Sequence, residues 1–407
     1  MARKMKDSGI EWIGEIPEGW ELTKVKRIFD IGRGRVISQQ ELTSVGYPVY
    51  SSQTKNNGCL GYISTYDFDK SQLTWTTDGV NAGTVFLREG KYNCTNVCGT
   101  LAPKNDTNDL RYLKYALEYI AFYHKRADIN GFKIMNNEMA EIELLLPPLF
   151  EQQNIANYLD FKCSQTQSIL EQSLFSIEEY KKLKQAVITQ AVTKTIYDDF
   201  GNPSKFRKLR SLCDVLSKGT TPKDIETQND EFYCIRYLKS ENIVSNQLNL
   251  NPTFFITAET NNSLERSKLN SGDILFVIAG ASIGKVAITT ADFLPANTNQ
   301  AVAFIRLSSS YQYATKYIWY FLQSDVVKQL IALSAVQSAQ PNLSLEDLGA
   351  MRLPLPDQMG CLKITDYLDA KCAEIDKLIV KKEQLVKELE SYKKSLIYEV
   401  VTGKREV

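Results

Sequence analysis

One passage of this sequence occurs twice, 209 residues apart. Leu146-Pro147 leads through Ile155 to Tyr158-Leu159-Asp160-Phe161-Lys162-Cys163, and Leu355-Pro356 leads through Ile364 to Tyr367-Leu368-Asp369-Ala370-Lys371-Cys372. The spacing still holds at Ile188 and Ile397, and at Val192-Thr193 and Val401-Thr402. About fifty residues therefore recur without a gap, and a gapless repeat of that length folds as the same element twice.

Both copies read as long helices opened by a proline. In the first, Ile155, Leu159, Cys163, Thr166, Leu170, Leu174, Ile177, Tyr180, Leu183, Val187 and Ala191 step by three or four. In the second, Ile364, Leu368, Cys372, Ile375, Leu378, Leu385, Leu389, Tyr392, Leu396 and Val400 do nearly the same. That period predicts a coiled-coil seam, and about forty helical residues span roughly 60 Å. Residues 151–180 hold five acids and one base, residues 181–194 four bases and no acid. Residues 357–376 hold five acids and two bases, residues 377–405 eight bases and four acids. Each helix is acidic first and basic last, which suits its dipole. An antiparallel pair sets unlike halves together, so an intramolecular antiparallel pair is expected.

The segments ahead of the helices are related more loosely. Val25-Lys26-Arg27-Ile28-Phe29-Asp30-Ile31 resembles Leu209-Arg210-Ser211-Leu212-Cys213-Asp214-Val215, followed by Gly34 and Gly219. Gly79-Val80-Asn81-Ala82-Gly83 parallels Gly280-Ala281-Ser282-Ile283-Gly284. Short β-branched and aromatic runs such as Asp273-Ile274-Leu275-Phe276-Val277-Ile278 predict strands, and each globule closes on a Tyr-rich helical stretch, residues 112–123 and 311–333. The predicted fold class is α+β: two globular mixed α/β domains separated by two long antiparallel helices in a coiled coil, a pseudo-twofold internal repeat. The expected boundaries are 1–144, 145–197, 198–352 and 353–407.

Composition excludes much chemistry. The 407 residues hold a single histidine, His124, so Ser-His-Asp catalysis and two-His zinc ligation have no sequence basis; His124 reads as a helix C-terminal residue. Gly280-Ala281-Ser282-Ile283-Gly284-Lys285-Val286 is one residue short of a P-loop and has Val286 where a magnesium-binding hydroxyl belongs, so it reads as a tight turn. Cys94 and Cys98 have no second pair to complete a zinc site, Asp198-Asp199 sit in a polar connector, and Pro147-Pro148-Leu149-Phe150 lacks the leading Asn or Asp of the amino-methyltransferase motif. No catalytic constellation, metal site or cofactor loop is found. The longest apolar run, residues 274–284, is far short of a membrane span. Residues 1–9 carry charge without an apolar leader, and the eight cysteines show no disulfide pattern. A cytoplasmic location is expected.

Binding features are better placed. Basic groups gather once per half, at Lys24, Lys26, Arg27, Arg33 and Arg35 and at Lys205, Arg207, Lys208 and Arg210. Such groups neutralise phosphates. Loops rich in Asn, Gln, Thr and Ser, able to pair with base edges, accompany them. The candidate DNA contacts are Arg33, Arg35, Lys55, Asn56, Asn57, Thr77, Asn81 and Lys133 in the first half. In the second half they are Lys218, Thr220, Thr221, Lys239, Ser282, Lys285, Asn297 and Gln300.

The chain resembles the specificity subunit of type I restriction–modification systems. The residues that carry the resemblance are Trp12-Ile13-Gly14-Glu15-Ile16-Pro17-Glu18-Gly19-Trp20, Leu146-Pro147-Pro148-Leu149-Phe150-Glu151-Gln152-Gln153, Gly272-Asp273-Ile274-Leu275-Phe276, Ala339-Gln340-Pro341-Asn342 and Val400-Val401-Thr402-Gly403-Lys404. The resemblance covers essentially the whole chain, and the combination is specific although each piece is short. One departure is plain: Leu355-Pro356-Asp357-Gln358-Met359-Gly360-Cys361 has no Glu-Gln-Gln run. The resemblance implies two target-recognition domains, each reading one half of a split, asymmetric site in double-stranded DNA, with the helices setting the unread spacer. It implies no catalysis by this chain and no cofactor of its own. Two modification subunits methylate adenine with S-adenosylmethionine, and restriction subunits use ATP and Mg. The helix starts at Pro147, Pro148, Glu151, Gln152 and Pro356 are the expected partner-binding surface. The alternative reading is a coiled-coil scaffold whose globules bind protein or another ligand without DNA; the balance of 48 basic against 48 acidic residues favours it mildly.

Overall fold

Two helices, Leu149–Thr193 and Gln358–Val401, carry the repeated passage, with 45 and 44 residues. The computed structural model describes residues 3–129, 131–194, 205–223, 225–227, 229–335 and 342–407. Asp198, Asp199 and residues 339–341 lie outside them. The chain divides into two compact units: Met1–Leu174 with Gln384–Val407, and Phe175–Glu383. Each unit takes one half of each long helix.

Within the first unit, the start of one helix packs against the end of the other. Ile155, Ala156, Leu159 and Cys163 share a core with Leu396, Val400 and Val401, and Lys393 Nζ donates to Gln167 Oε1 at 3.4 Å. Within the second, Ile188 and Val192 share a core with Cys361, Leu368 and Cys372. There Lys184 Nζ donates to both Asp376 oxygens at 2.8 and 2.6 Å. Both halves are antiparallel, and the Lys184–Asp376 pair joins a basic end to an acidic start as the charge pattern predicts. The seam differs from its expected phase at several positions. Ser173 is 1% exposed while Leu174 is 52% exposed. A heptad stepping four and three runs through Leu159, Cys163, Thr166, Leu170, Ser173 and Ile177, so Leu174 falls one residue off the buried stripe. Leu183, Leu378 and Tyr392 are likewise exposed.

Each unit builds the same four-stranded antiparallel sheet. In the first its spatial order is Phe29–Arg33, Cys98–Pro103, Gln72–Thr76, Val85–Arg88. In the second it is Cys213–Lys218, Val302–Leu307, Ile274–Val277, Val286–Ile288. A three-stranded sheet accompanies each. Tyr47–Tyr50 pairs parallel with Asn93–Cys94 and antiparallel with Cys59–Ile63; Tyr233–Leu238 pairs parallel with Ala296–Thr298 and antiparallel with Phe255–Thr257. The inner strands are covered on both faces. Ile274 and Phe276 point into one apolar core, Leu275 and Val277 into another, which is why this run is continuously apolar instead of alternating.

The Tyr-rich stretch of the first unit is one helix, Leu110–His124, capped by Asp109 accepting from the Arg111 and Tyr112 amides at 2.8 and 3.2 Å. His124 ends it, as expected. Its counterpart is not one helix: Thr315–Leu322 stops, and Asp325–Ala335 starts with its amide held by Thr189 Oγ1 at 3.0 Å. Among the described residues, no helix is long and apolar enough to cross a membrane.

Candidate nucleic-acid interface

The local cause of the site is a close backbone crossing. A Cβ at Gly34 would lie 2.1 Å from the Cys94 carbonyl oxygen, and one at Gly219 1.8 Å from that of Thr298. Only glycine lets these chains meet. From each crossing the same path of backbone contacts traverses the four-stranded sheet. The Gly34 amide donates to Cys98 O at 3.0 Å, Cys98 is in register with Thr76, and Thr76 O accepts from Gly83 at 2.9 Å. The Gly219 amide donates to Val302 O at 3.3 Å, Val302 is in register with Val277, and Val277 O accepts from Gly284 at 2.9 Å. Gly83 and Gly284 both have φ +88° and close tight turns. The segment of residues 280–284 is therefore the turn its composition predicts, and a strand follows it.

These paths bring several candidates to one end of one sheet in each unit. In the first unit they are Arg33, Arg35 and Asn81, joined by Lys133, whose strand is in register with Asp78. In the second they are Lys218, Thr220, Thr221, Ser282, Lys285 and Gln300. Thr221 Oγ1 donates to Gln300 Oε1, and the Thr220 carbonyl accepts from Tyr237 Oη at 2.8 Å. Lys239 follows the Tyr233–Leu238 strand and lies over the Phe254 ring at 3.5 Å. Lys55, Asn56 and Asn57 stand exposed on a separate loop after Tyr47–Tyr50.

Charge is not equally available across this set. Arg35 is paired with Asp67 at 3.0 Å and Glu41 at 3.4 Å, and Lys133 with Asp128 at 2.5 Å. Lys24 and Lys26 both bind Glu141. Their hydrogen bonds, Lys24 first, hold the Glu141 carboxyl down at about 2. Among the described residues no carboxylate pairs with Lys55, Lys218, Lys285 or Arg33, and Arg33 Nη2 donates to the Met135 sulfur at 3.3 Å. The charge of these four is not neutralised by an ion pair among the described residues.

Two candidates need correction. Thr77 and Asn297 are both 0% exposed. Asn297 spends its amide on Asn261 Oδ1 and the Leu264 carbonyl at 3.1 and 3.2 Å, inside the fold. Neither side chain faces a groove.

The helix starts are corrected in a similar way. Gln152 is 2% exposed: its Oε1 accepts from the Asp109 amide at 3.0 Å, and its Nε2 donates to Asn108 Oδ1 and the Pro147 carbonyl at 2.9 Å. Glu151 accepts from Trp20 Nε1 at 3.0 Å and pairs with Arg3 at 2.5 Å. Pro147 is buried and Pro356 half-buried, which leaves Pro148 as the exposed candidate. Cys361 stands where the first copy has Gln152, and its Sγ reaches the Pro356 carbonyl at 3.7 Å. The departure from the Glu-Gln-Gln run thus replaces an internal tie, with a thiol making the same carbonyl contact more weakly.

The residue that sequence reasoning missed is Arg88, which is buried under the Asn56-Asn57 loop; the signal was a lone arginine closing the strand Val85–Arg88. Among the described residues no group of three or more His, Cys, Asp or Glu side chains could hold a metal ion.

Comparison with known proteins finds the same doubling of the chain. Residues 17–179 and 202–387 each match the type I restriction modification DNA specificity domain. A Mycoplasma pneumoniae chain named as a type I specificity subunit is 32% identical over 286 residues, 67% of this chain and 70% of that one. The type I restriction enzyme MjaVIII specificity subunit of Methanocaldococcus jannaschii is 25% identical over 413 residues, 96% of this chain and 93% of that one. A solved chain, from work on complex assembly and conformational transition of the type I R-M system, superposes with a TM-score of 0.72 at 13% identity. It covers 96% of this chain and 99% of that chain, and shares the fold.

Proposed function

The chain belongs to the type I restriction–modification DNA-specificity family, and from that membership we propose that it is the sequence-reading subunit of such a complex. Each unit reads one half of a bipartite, asymmetric duplex site, and the unread spacer is assigned to the two long helices. The observation that carries this reading is the doubled sheet end: Arg33 and Asn81 in one unit, Lys218, Ser282 and Lys285 in the other, reached by equivalent backbone paths. The unpaired cations bind phosphates and set register, and the neighbouring amides and hydroxyls read base edges.

In this reading the chain performs no catalysis. Two modification subunits supply adenine methylation with S-adenosylmethionine, restriction subunits supply ATP- and Mg-dependent cleavage, and the assembly works in the cytoplasm. The exposed Pro148 and the outward faces of the long helices, with Phe161 58% and Phe175 67% exposed, support docking of partner subunits. Methylation mapping of DNA from cells co-expressing the chain with a cognate modification subunit tests the reading. The expected result is modified adenine in a two-part motif with a fixed gap, one half of which changes when residues 1–144 are exchanged. An assembled complex that adds no methylation would overturn it.

A further inference from the structure

We propose that Arg88 is a positioning residue that sets the specificity of one half-site by fixing the loop above it; the proposal rests on the DNA-reading role argued above. Arg88 ends the strand Val85–Arg88 and is 2% exposed. Its guanidinium lies over the Tyr50 ring at 3.5 Å and the Phe86 ring at 4.2 Å. Nε donates to Thr74 Oγ1 at 3.2 Å, Nη1 donates to the Asn57 carbonyl at 2.7 Å, and Nη2 has no partner. Among the described residues no carboxylate pairs with it.

The cost of taking a cation out of water offsets much of what its hydrogen bonds contribute, so its net contribution to stability is small. What the arginine supplies is a fixed distance between a strand side chain and a loop carbonyl. One arm of the fork holds Thr74, on the wholly buried strand Gln72–Thr76, and the other holds the loop.

The loop requires such an anchor. Asn56 and Asn57 sit consecutively at φ +50° and +53°, a left-handed conformation that residues with side chains adopt sparsely. Residues 54–57 are exposed, and Gln53 Nε2 closes the loop onto the Cys59 carbonyl. Gly58, at φ +80°, passes directly over the guanidinium; a Cβ there would lie 2.8 Å from Nη2. Holding the Asn57 carbonyl therefore aims the two carboxamides, groups whose donor and acceptor can pair together with adenine in the major groove. Counted from the equivalent glycines Gly83 and Gly284, Thr289 holds the place of Arg88 in the other unit, so the effect belongs to one half-site alone.

The test uses the full complex with modification subunits and duplexes bearing single changes in either half-site. Arg88→Met keeps the volume and removes the donors. Discrimination at the half read by the first unit is expected to fall about tenfold, the scale of one bidentate base contact, with the other half and the melting temperature unchanged. Arg88→Lys, which restores a single donor, is expected to recover part of the loss and carries the test if the methionine variant does not accumulate. The paired substitutions Asn56→Ala and Asn57→Ala measure the underlying reading. Lost discrimination in the asparagine pair with none lost in Arg88→Met overturns the role of Arg88 and leaves the loop as a reader. No loss in either overturns both. Equal loss at both half-sites with a lowered melting temperature makes Arg88 an ordinary structural residue and also overturns the proposal.

Discussion

The phenol of Tyr115 donates to Asp160 Oδ1 at 2.9 Å, tying the helix that closes the first globule to the long helix beneath it. Tyr320 makes the same bond to Asp369 at 2.7 Å in the second unit. A cation joins each: Arg111 reaches Asp160 at 3.0 Å, and Lys316 reaches Asp369. Burial, and then the bond to the carboxylate, pushes both phenols well above the ordinary tyrosine range. The two helix stretches are spaced 205 residues apart and the long helices 209, so a gapless alignment of the repeat does not reveal the match. The tertiary contact does.

Tyr115→Phe and Tyr320→Phe each remove one hydrogen bond while Asp160 and Asp369 keep their cations. Each substitution is expected to cost about 1 kcal/mol, a fall of about 2–4 °C in melting temperature. Calorimetry of the single and double variants checks this. Additive losses are expected, since the two bonds share no partner.

The seam makes a contrary pair of predictions about neighbouring residues. Leu174→Glu, at an exposed position, should change stability by less than about 0.5 kcal/mol. Ser173→Glu forces a carboxylate into the 1% exposed stripe and should cost more than about 2 kcal/mol. Urea unfolding midpoints of the two variants decide between this phase and one running through Leu174.

Lys218 is exposed and pairs with no described carboxylate. Lys218→Ala should weaken duplex binding by the assembled complex evenly across sequences. It should also lower the slope of log affinity against log salt by about 0.9. A loss confined to particular base changes would make Lys218 a base reader instead of a phosphate contact.

The Glu141 carboxyl, held at about 2 by Lys24 and Lys26, titrates below its unfolded value of 4.5. Its contribution to stability is therefore present above pH 4.5 and is lost as the pH falls toward 2. Carbon-13 NMR of labelled glutamate should find this low midpoint, and Lys26→Ala should raise it.

The sequence by itself determined the repeat, the two long helices, their antiparallel sense and the family, because these depend on periodicity and charge sign, which survive in linear order. It placed the strand run at residues 273–278 and the tight turn at residues 280–284 correctly for the same local reason. Which residues face outward was decided by tertiary structure. Gln152 and Asn297 are polar side chains that look available in the sequence, yet each satisfies buried backbone groups brought from elsewhere in the chain. The seam runs through Ser173 instead of Leu174 because helix phase, set by the whole packed stripe, outweighs the hydrophobicity of one residue. Arg88 shows the converse. Its neighbours in sequence mark only a strand end, and its place under Asn57 exists because the Ser51 amide bonds to the Gly58 carbonyl at 3.0 Å and folds the loop back over the sheet.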